Sequence, residues 1–174
     1  MRKRPNLGVL FGLIAMVALG VVLASPYVAG AQGLATQITG VWQVTSVVVR
    51  DLQTGAVSRT YGEKPAGRVV FTRGGNFTWV FVGDARTAPA GPVPTDAERI
   101  VLYNTLSFGT GTYRVDGGTV SLRYDSSWNQ SWTGTERKAN MEVSDKTLTW
   151  KSPPYKSLDD GKDVMAITTL QRLE

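Results

Sequence analysis

The chain has 174 residues, with 19 Lys and Arg against 14 Asp and Glu, a formal net charge of +5, and neither Cys nor His. Its length allows one domain, or two small ones. Without Cys it forms no disulfide, thiolate metal site or thiol nucleophile, and without His it lacks the commonest metal ligand and the Ser-His-Asp triad. We therefore predict no metal and no cofactor.

The N-terminus has the pattern of a targeting segment. Three cations at positions 2–4 precede an apolar run over residues 7–24. A break at Ser25-Pro26 and the small residues 29–31 complete the pattern of a secretory signal peptide over residues 1–31, cleaved after Ala31. The run is also long enough for the alternative of an uncleaved membrane anchor. Either outcome delivers the domain outside the cytoplasm, secreted or periplasmic if cleaved and membrane-anchored if not.

The charge of the remaining domain bears on its partners. Loss of residues 1–31 removes three cations and lowers the formal charge from +5 to +2. A nearly neutral domain without a basic cluster is not typical of nucleic-acid binding. We predict no nucleic-acid partner, and membrane contact only through an uncleaved N-terminal segment. The sequence does not indicate an oligomeric state.

The first half of the domain consists of predicted strands. After a short linker at residues 32–37, Val, Thr and aromatic runs alternate with Gly, Asn and Asp, which is typical of antiparallel strands. Alternation in one of these strands places Phe77, Trp79 and Phe81 on one face. These three rings must be buried, in a core or around a cavity. The first four predicted strands cover residues 38–49, 56–61, 67–72 and 76–82.

A Pro-, Ala- and Gly-rich loop at residues 83–94 leads to the one predicted helix, residues 96–107. Thr95 and Glu98 have the spacing of a capping box, in which the hydroxyl accepts from the backbone of Glu98 and the carboxylate reaches back. An apolar face of this helix contains Ala97, Ile100, Val101 and Phe108.

The second half of the domain again alternates. A polar loop at residues 126–133 holds Trp128 and Trp132, and residues 152–162 form another long loop. Eight to nine short antiparallel strands and one short helix over residues 38–174 indicate an all-β sandwich or closed barrel. The aromatic inward face favours a barrel, because eight strands leave an interior that side chains fill or that holds one small ligand. The later predicted strands cover residues 112–116, 119–125, 134–143, 147–151 and 163–173.

Short motifs recur along these strands. Gly40-Val41-Trp42 lies at the start of the first, and residues 61–77 are YGEKPAGRVVFTRGGNF. Later come GTGTYRVD at 109–116, WTGTE at 132–136, LTW at 148–150 and LQRL at 170–173. From about residue 38 to residue 172 the chain resembles the small lipocalin-like domain family, whose members are calycin-like β-barrels.

This resemblance implies a single antiparallel lipocalin-like β-barrel. The Gly-x-Trp start is typical of lipocalins, in which an Arg stacks on the tryptophan. The resemblance therefore implies that Arg172 stacks on Trp42, and that Gly40, Trp42 and Arg172 form a structural motif.

The chain departs from the family pattern at polar positions. Members often carry a His in the strand that matches residues 120–124 and an Arg a few residues past 134–136, whereas this chain has no His and the corresponding inward position is Ala139. Arg137 is expected to be out of phase with the inward positions, and Gln130 stands where a Pro is often found. If the His and the Arg form a polar site in the family, this chain lacks that site or rebuilds it.

The candidate ligand contacts are aromatic. Six rings are predicted inside the barrel, and two loop tryptophans with the helix are predicted at its mouth. The same rings could instead fill the barrel or cap its end. Most Arg residues (68, 73, 114 and 123) are expected outside, although each could meet an acidic group of a ligand. The candidate ligand-binding residues are Phe77, Trp79, Phe81, Tyr113, Tyr124, Trp128, Trp132 and Trp150.

We predict an exported lipocalin-like protein that binds a small, largely apolar molecule in a barrel cavity. The alternative is an envelope or extracellular interaction module with a filled barrel. A second alternative is an isomerase or cyclase that acts on a hydrophobic substrate with Tyr, Arg and water alone. No catalytic residue is predicted, because no Ser, Lys or Tyr has an evident base partner.

Overall fold

The computed structural model describes residues 33–157 and 160–174. The predicted signal peptide lies outside the described residues. Within them, no helix is long and apolar enough to cross a membrane. Residues 33–38 are helical (α1), although 33–37 were expected to belong to a linker and Ile38 to the first strand, and both Leu34 and Ile38 are buried. They lie four residues apart on one helical face, so the barrel can cover both.

Ten strands and two further helices follow α1. All ten belong to one antiparallel sheet, and α2 (Asp96–Asn104) and the short 3-10 helix η1 (Gln130–Trp132) lie in connections. The strands are β1 (Gly40–Asp51), β2 (Val57–Ser58), β3 (Ala66–Phe71), β4 (Asn76–Val82), β5 (Leu106–Asp116), β6 (Thr119–Ser127), β7 (Glu136–Ser144), β8 (Thr147–Lys151), β9 (Tyr155–Lys156) and β10 (Asp163–Arg172).

Eight of these strands close into a barrel in the order β1-β3-β4-β5-β6-β7-β8-β10, because β10 returns to pair with β1. The short strands β2 and β9 pair with β1 and β10 and lie outside this circuit. The prediction of an all-β, antiparallel lipocalin-like barrel is therefore confirmed, and α2 is the one short helix that was predicted. Strand β9 falls in a predicted loop, where two residues are too few to show alternation.

The predicted helix ends three residues too late. In the structure α2 ends at Asn104, and the residues after Thr105 join β5, where Leu106 pairs with Val82. These residues pair with β4 in the sheet, so they do not continue α2. The predicted apolar face is not buried either: α2 has no buried residue, Ile100 and Val101 are 61% and 51% exposed, and Phe108 lies on β5.

Large side chains on β4 face small ones on β5 inside the barrel. Phe77 pairs with Gly111, Trp79 with Gly109, and Phe81 with Ser107. A Cβ atom at Gly109 would lie 2.5 Å from Tyr124 Cε1 and 2.7 Å from Trp79 Nε1. Alternation of large and small interior residues fits rings into a narrow barrel, and Gly109 is the position where they come closest.

One end of the barrel is closed by α1 and by the turns at residues 72–76, 116–119 and 144–147. Here the Arg172 guanidinium lies 4.1 Å from the centre of the Trp42 ring, as the resemblance implies. Arg172 also donates to the carbonyls of Gln37 and Thr39, and the Trp42 indole donates to Ile38 O at 2.8 Å. A cation is favourable at a helix C-terminus, so this pair holds α1 against the barrel.

Gly40 belongs to the same arrangement. Its φ is +135°, and a Cβ atom there would lie 2.3 Å from Glu174 O and 2.9 Å from the Arg172 guanidinium. Only glycine allows this backbone conformation and this close approach. The three residues of the predicted structural motif therefore act together at the closed end.

The opposite end, the loop end, carries α2. The predicted capping box is present: Thr95 Oγ1 accepts from the Glu98 backbone, and Glu98 accepts from the Thr95 N–H at 2.7 Å. Glu98 also accepts from the Ala90 N–H at 2.9 Å, and so ties the Pro-rich loop to the helix. These backbone hydrogen bonds, first that of Ala90 and then that of Thr95, lower the pKa of Glu98.

We expect Gly109→Ala to lower the free energy of unfolding by about 1–3 kcal/mol, because the added methyl group overlaps Trp79 and Tyr124. The matched control is Gly118→Ala, since nothing lies within 4 Å of that position. Urea titration followed by circular dichroism measures both variants. Equal stability of the two would show that the interior has room at Gly109.

Acid is expected to release α2 and its loop. Because the folded pKa of Glu98 is lowered, its contribution is complete above the unfolded value of about 4.5 and is lost as pH falls through the folded pKa. The Trp128 indole donates to Tyr103 O on α2 at 3.2 Å, so its NMR signal reports the release. Glu98→Gln should remove this transition and Glu142→Gln should not. An unchanged transition in Glu98→Gln would contradict the assignment.

Candidate functional site

The loop end of the barrel forms a mouth above a packed interior. Segments 59–65, 83–105, 128–135, 152–157 and 160–162 surround it. Toward the closed end, inward side chains such as Leu122, Leu148 and Leu170 are at most 1% exposed. At the loop end, several inward side chains keep partial access to solvent. We define the mouth by Tyr61, Phe81, Trp132, Arg137, Trp150 and Thr168.

A group of aromatic rings forms the floor of the mouth. The ring centres of Trp79 and Phe81 are 4.7 Å apart, and Trp150 lies 6.3 Å from each in an edge-to-face arrangement. Tyr61 approaches Phe81 edge-on at 6.1 Å. Rings at these separations attract one another beyond simple burial. Trp79 and Phe81 are buried, whereas Tyr61 and Trp150 are only half-buried.

Tyr61 reaches the mouth through contacts with the following loop. Asp84 accepts from the Lys64 N–H at 2.8 Å, and its own N–H donates to Tyr61 O at 3.2 Å. The Tyr61 hydroxyl lies 2.5 Å from Ser107 Oγ. Burial raises the pKa of Tyr61, so this hydroxyl stays protonated at neutral pH.

Thr168 adds a second hydroxyl on the inward face of β10, where it alternates with Leu170. The residue is 5% exposed. Among the residues that the structure describes, none forms a hydrogen bond with its hydroxyl. Its oxygen is not among the buried side-chain atoms that lack a partner, so it keeps some contact with solvent and is available to a bound molecule.

Arg137 lies at the rim of the mouth, and the prediction of its orientation was wrong. It was expected out of phase with the inward positions, but it pairs with the inward residue Leu122 and shares the face of Ala139 and Met141. Side chains two residues apart on a strand point to the same side, which places Arg137 inward at the loop end. Its guanidinium lies 4.4 Å from the centre of the Trp132 ring.

The charge of Arg137 acts on two tyrosines. Burial raises the pKa of Tyr124 to about 12, and the positive charge of Arg137 works against that rise. Burial also raises the pKa of Tyr155, again opposed by Arg137. Tyr155 is 41% exposed on β9. Arg137 therefore lies between the packed interior and the loop that carries β9.

The two loop tryptophans have different surroundings. The Trp132 ring meets Tyr124 edge-on at 5.8 Å inside the rim. Trp128 instead stacks near Tyr103 of α2, with ring centres 5.0 Å apart. Both side chains are half-buried. Trp132 thus borders the mouth, whereas Trp128 holds the helix beside it.

Two of the candidate rings lie deeper. Tyr113 meets Phe71 edge-on at 5.1 Å, and Phe77 meets Tyr124 edge-on at 5.2 Å. The Tyr113 hydroxyl donates to Thr72 O at 2.8 Å, near the closed end. The structure therefore brings Trp79, Phe81 and Trp150 together in the floor. Tyr124 links this floor to Trp132 at the rim, because its hydroxyl accepts from the Trp79 indole at 3.3 Å and its ring meets Trp132. Phe77 and Tyr113 lie deeper, in the packed interior.

The sequence analysis did not identify Tyr61, Thr168 or Arg137 at the mouth. Alternation on β7, counted back from Ala139, would have placed Arg137 inward. Alternation on β10, counted back from Leu170, would have done the same for Thr168. No local pattern marks Tyr61, because its position depends on Asp84.

The mouth combines apolar surface with a few polar groups. The mouth offers aromatic walls, two hydroxyls and one guanidinium. The Tyr61 hydroxyl with its raised pKa serves as a hydrogen-bond donor and not as a base at neutral pH. Within residues 33–157 and 160–174, no three acidic side chains lie close enough together to hold a metal ion.

Comparison with known proteins agrees with this architecture. A search of curated proteins gives no match. A family model described as a lipocalin-like domain matches residues 39–173, a range that contains every strand of the barrel. The matched range begins at Thr39, whose carbonyl accepts from Arg172, and ends at Leu173, one residue after Arg172. The chain belongs to the lipocalin-like domain family.

Proposed function

We propose that this protein binds a small, largely apolar molecule at the mouth of the barrel. The observation that carries the proposal is the contrast between the two ends. Most inward side chains of the interior are almost completely buried, and Val115 and Val143 beside the closed-end turns are partly exposed but small. At the loop end the large aromatic side chains of Tyr61, Trp132 and Trp150 keep partial access to solvent. Aromatic walls with a few polar groups are the usual composition of a ligand site.

The packed rings restrict where such a molecule sits. Trp79, Phe81 and Trp150 contact one another across the barrel and so form a floor. The ligand therefore rests on this floor and beneath the loops, rather than along the barrel axis down to Phe77. The Thr168 hydroxyl gives it one polar partner inside.

Binding is expected to change the tryptophan fluorescence, because Trp79 and Trp150 form the floor. A titration with dodecanol and with naphthylmethanol, checked by calorimetry, tests a flexible and a flat apolar ligand. Ala166→Phe places a ring on the inward face of β10 and should weaken binding about tenfold or more. Met165→Phe, on the neighbouring outward position, is the matched control and should bind as the unaltered protein does.

The same titration distinguishes the alternative of a filled interaction module. Exposed apolar side chains around α2 favour that alternative: Val93, Ile100, Val101 and Tyr103 are each more than half exposed. If the folded protein gives neither heat nor a fluorescence change with any of the ligands, the binding proposal is contradicted. The interaction module is then the remaining interpretation. Binding that Ala166→Phe does not weaken would place the site elsewhere.

We also propose that residues 1–31 export the domain. The support is the run of three cations, apolar residues and a small-residue site in the sequence. Expression of the full chain in a secreting bacterium should yield a product outside the cytoplasm that begins at Gln32, as N-terminal sequencing would show. An intact chain in the membrane fraction would favour the anchor, and an intact chain in the cytoplasm would contradict export.

A further inference from the structure

Arg137 is a cation at the mouth that forms no ion pair with the described residues. No ion pair among residues 33–157 and 160–174 includes it. Two lysines of the neighbouring loop are already paired, Lys156 with Asp163 at 2.9 Å and Lys162 with Asp160 at 2.7 Å. Among the six residues that define the mouth, Arg137 is the one cation, and it forms no ion pair with a carboxylate of the described chain.

The orientation of Arg137 leaves its donors accessible. The guanidinium carbon lies over the Trp132 ring, 4.4 Å from its centre, and the residue remains exposed. A guanidinium that stacks through its face keeps its N–H groups in its own plane, where they can form two parallel hydrogen bonds with a carboxylate. The stack also limits the freedom of the side chain, so less entropy is lost on binding.

The surroundings favour an acid with an apolar body. Leu122 pairs with Arg137 on the neighbouring strand, and Trp132 continues to Tyr124 and the packed interior. A molecule that places its charged end on Arg137 therefore extends its body over the aromatic floor. A single cation matches a head group with one negative charge better than one with two.

We propose that the ligand of this barrel is an amphipathic monocarboxylic acid, with its carboxylate on Arg137 and its apolar body over Trp150 and Phe81. This inference rests on the proposed function, because it assumes a ligand at the mouth. It goes further in naming the chemical class of the ligand and the residue that selects it.

The test compares two ligands of one length at neutral pH, dodecanoate below its critical micelle concentration and dodecanol below its solubility limit. The unaltered protein should bind the acid about tenfold more tightly than the alcohol. Arg137→Met, which keeps an apolar contact with Trp132, should remove that preference by weakening the binding of dodecanoate about tenfold more than the binding of dodecanol. Arg123→Met removes a charge from the outer face of β6 and is the control for net charge.

Three results separate this inference from the proposed function. If neither ligand binds, the proposed function fails. If both bind equally, or if Arg137→Met keeps the preference for the acid, a ligand site exists but Arg137 does not select a carboxylate, and the inference is overturned. If Arg123→Met loses the preference as fully as Arg137→Met, the effect comes from net charge, which also overturns it.

Discussion

The pairing of β1 with β10 is the constraint on which the rest of the structure depends. It joins the first and last strands of the barrel over nearly the whole length of β1, from Trp42 opposite Arg172 to Asp51 opposite Val164. Closure leaves no free edge in the eight-stranded circuit and sets which side chains face inward. A bulge at Thr45 shifts this register, so that Val44 before it and Val47 after it are both buried.

Closure also explains why the two ends of the barrel differ. At one end Arg172 covers Trp42 and binds the carbonyls of α1, so helix, first strand and last strand are held by one side chain. At the other end the connections are long, and α2 rests there through Trp128 and Tyr103 without burying a residue of its own. The interior is therefore sealed on one side and covered only by loops on the other.

Local patterns predicted much of the fold. The bounds of β4 and β8 agree with alternation between turn residues, and the capping box at Thr95 and Glu98 is present. The predictions that were wrong concern segments whose structure depends on contacts between residues distant in sequence. Helix α1 depends on its hydrogen bond with Arg172. Helix α2 ends early because Leu106 pairs with Val82 in the sheet. Strand β9 forms because its two residues pair with β10. The mouth was predicted only in part, since Tyr61 arrives there through Asp84.

The contacts of Arg172 also place the two termini of the domain close to each other. Its hydrogen bonds to the Gln37 and Thr39 carbonyls hold the start of the barrel domain next to its last strand, and the Leu173 N–H donates to Val41 O at 2.8 Å. Both termini of the domain therefore leave the barrel at the closed end. A tether or fusion partner at either terminus is directed away from the mouth, and a domain held to a surface by its N-terminus presents the mouth to the opposite side.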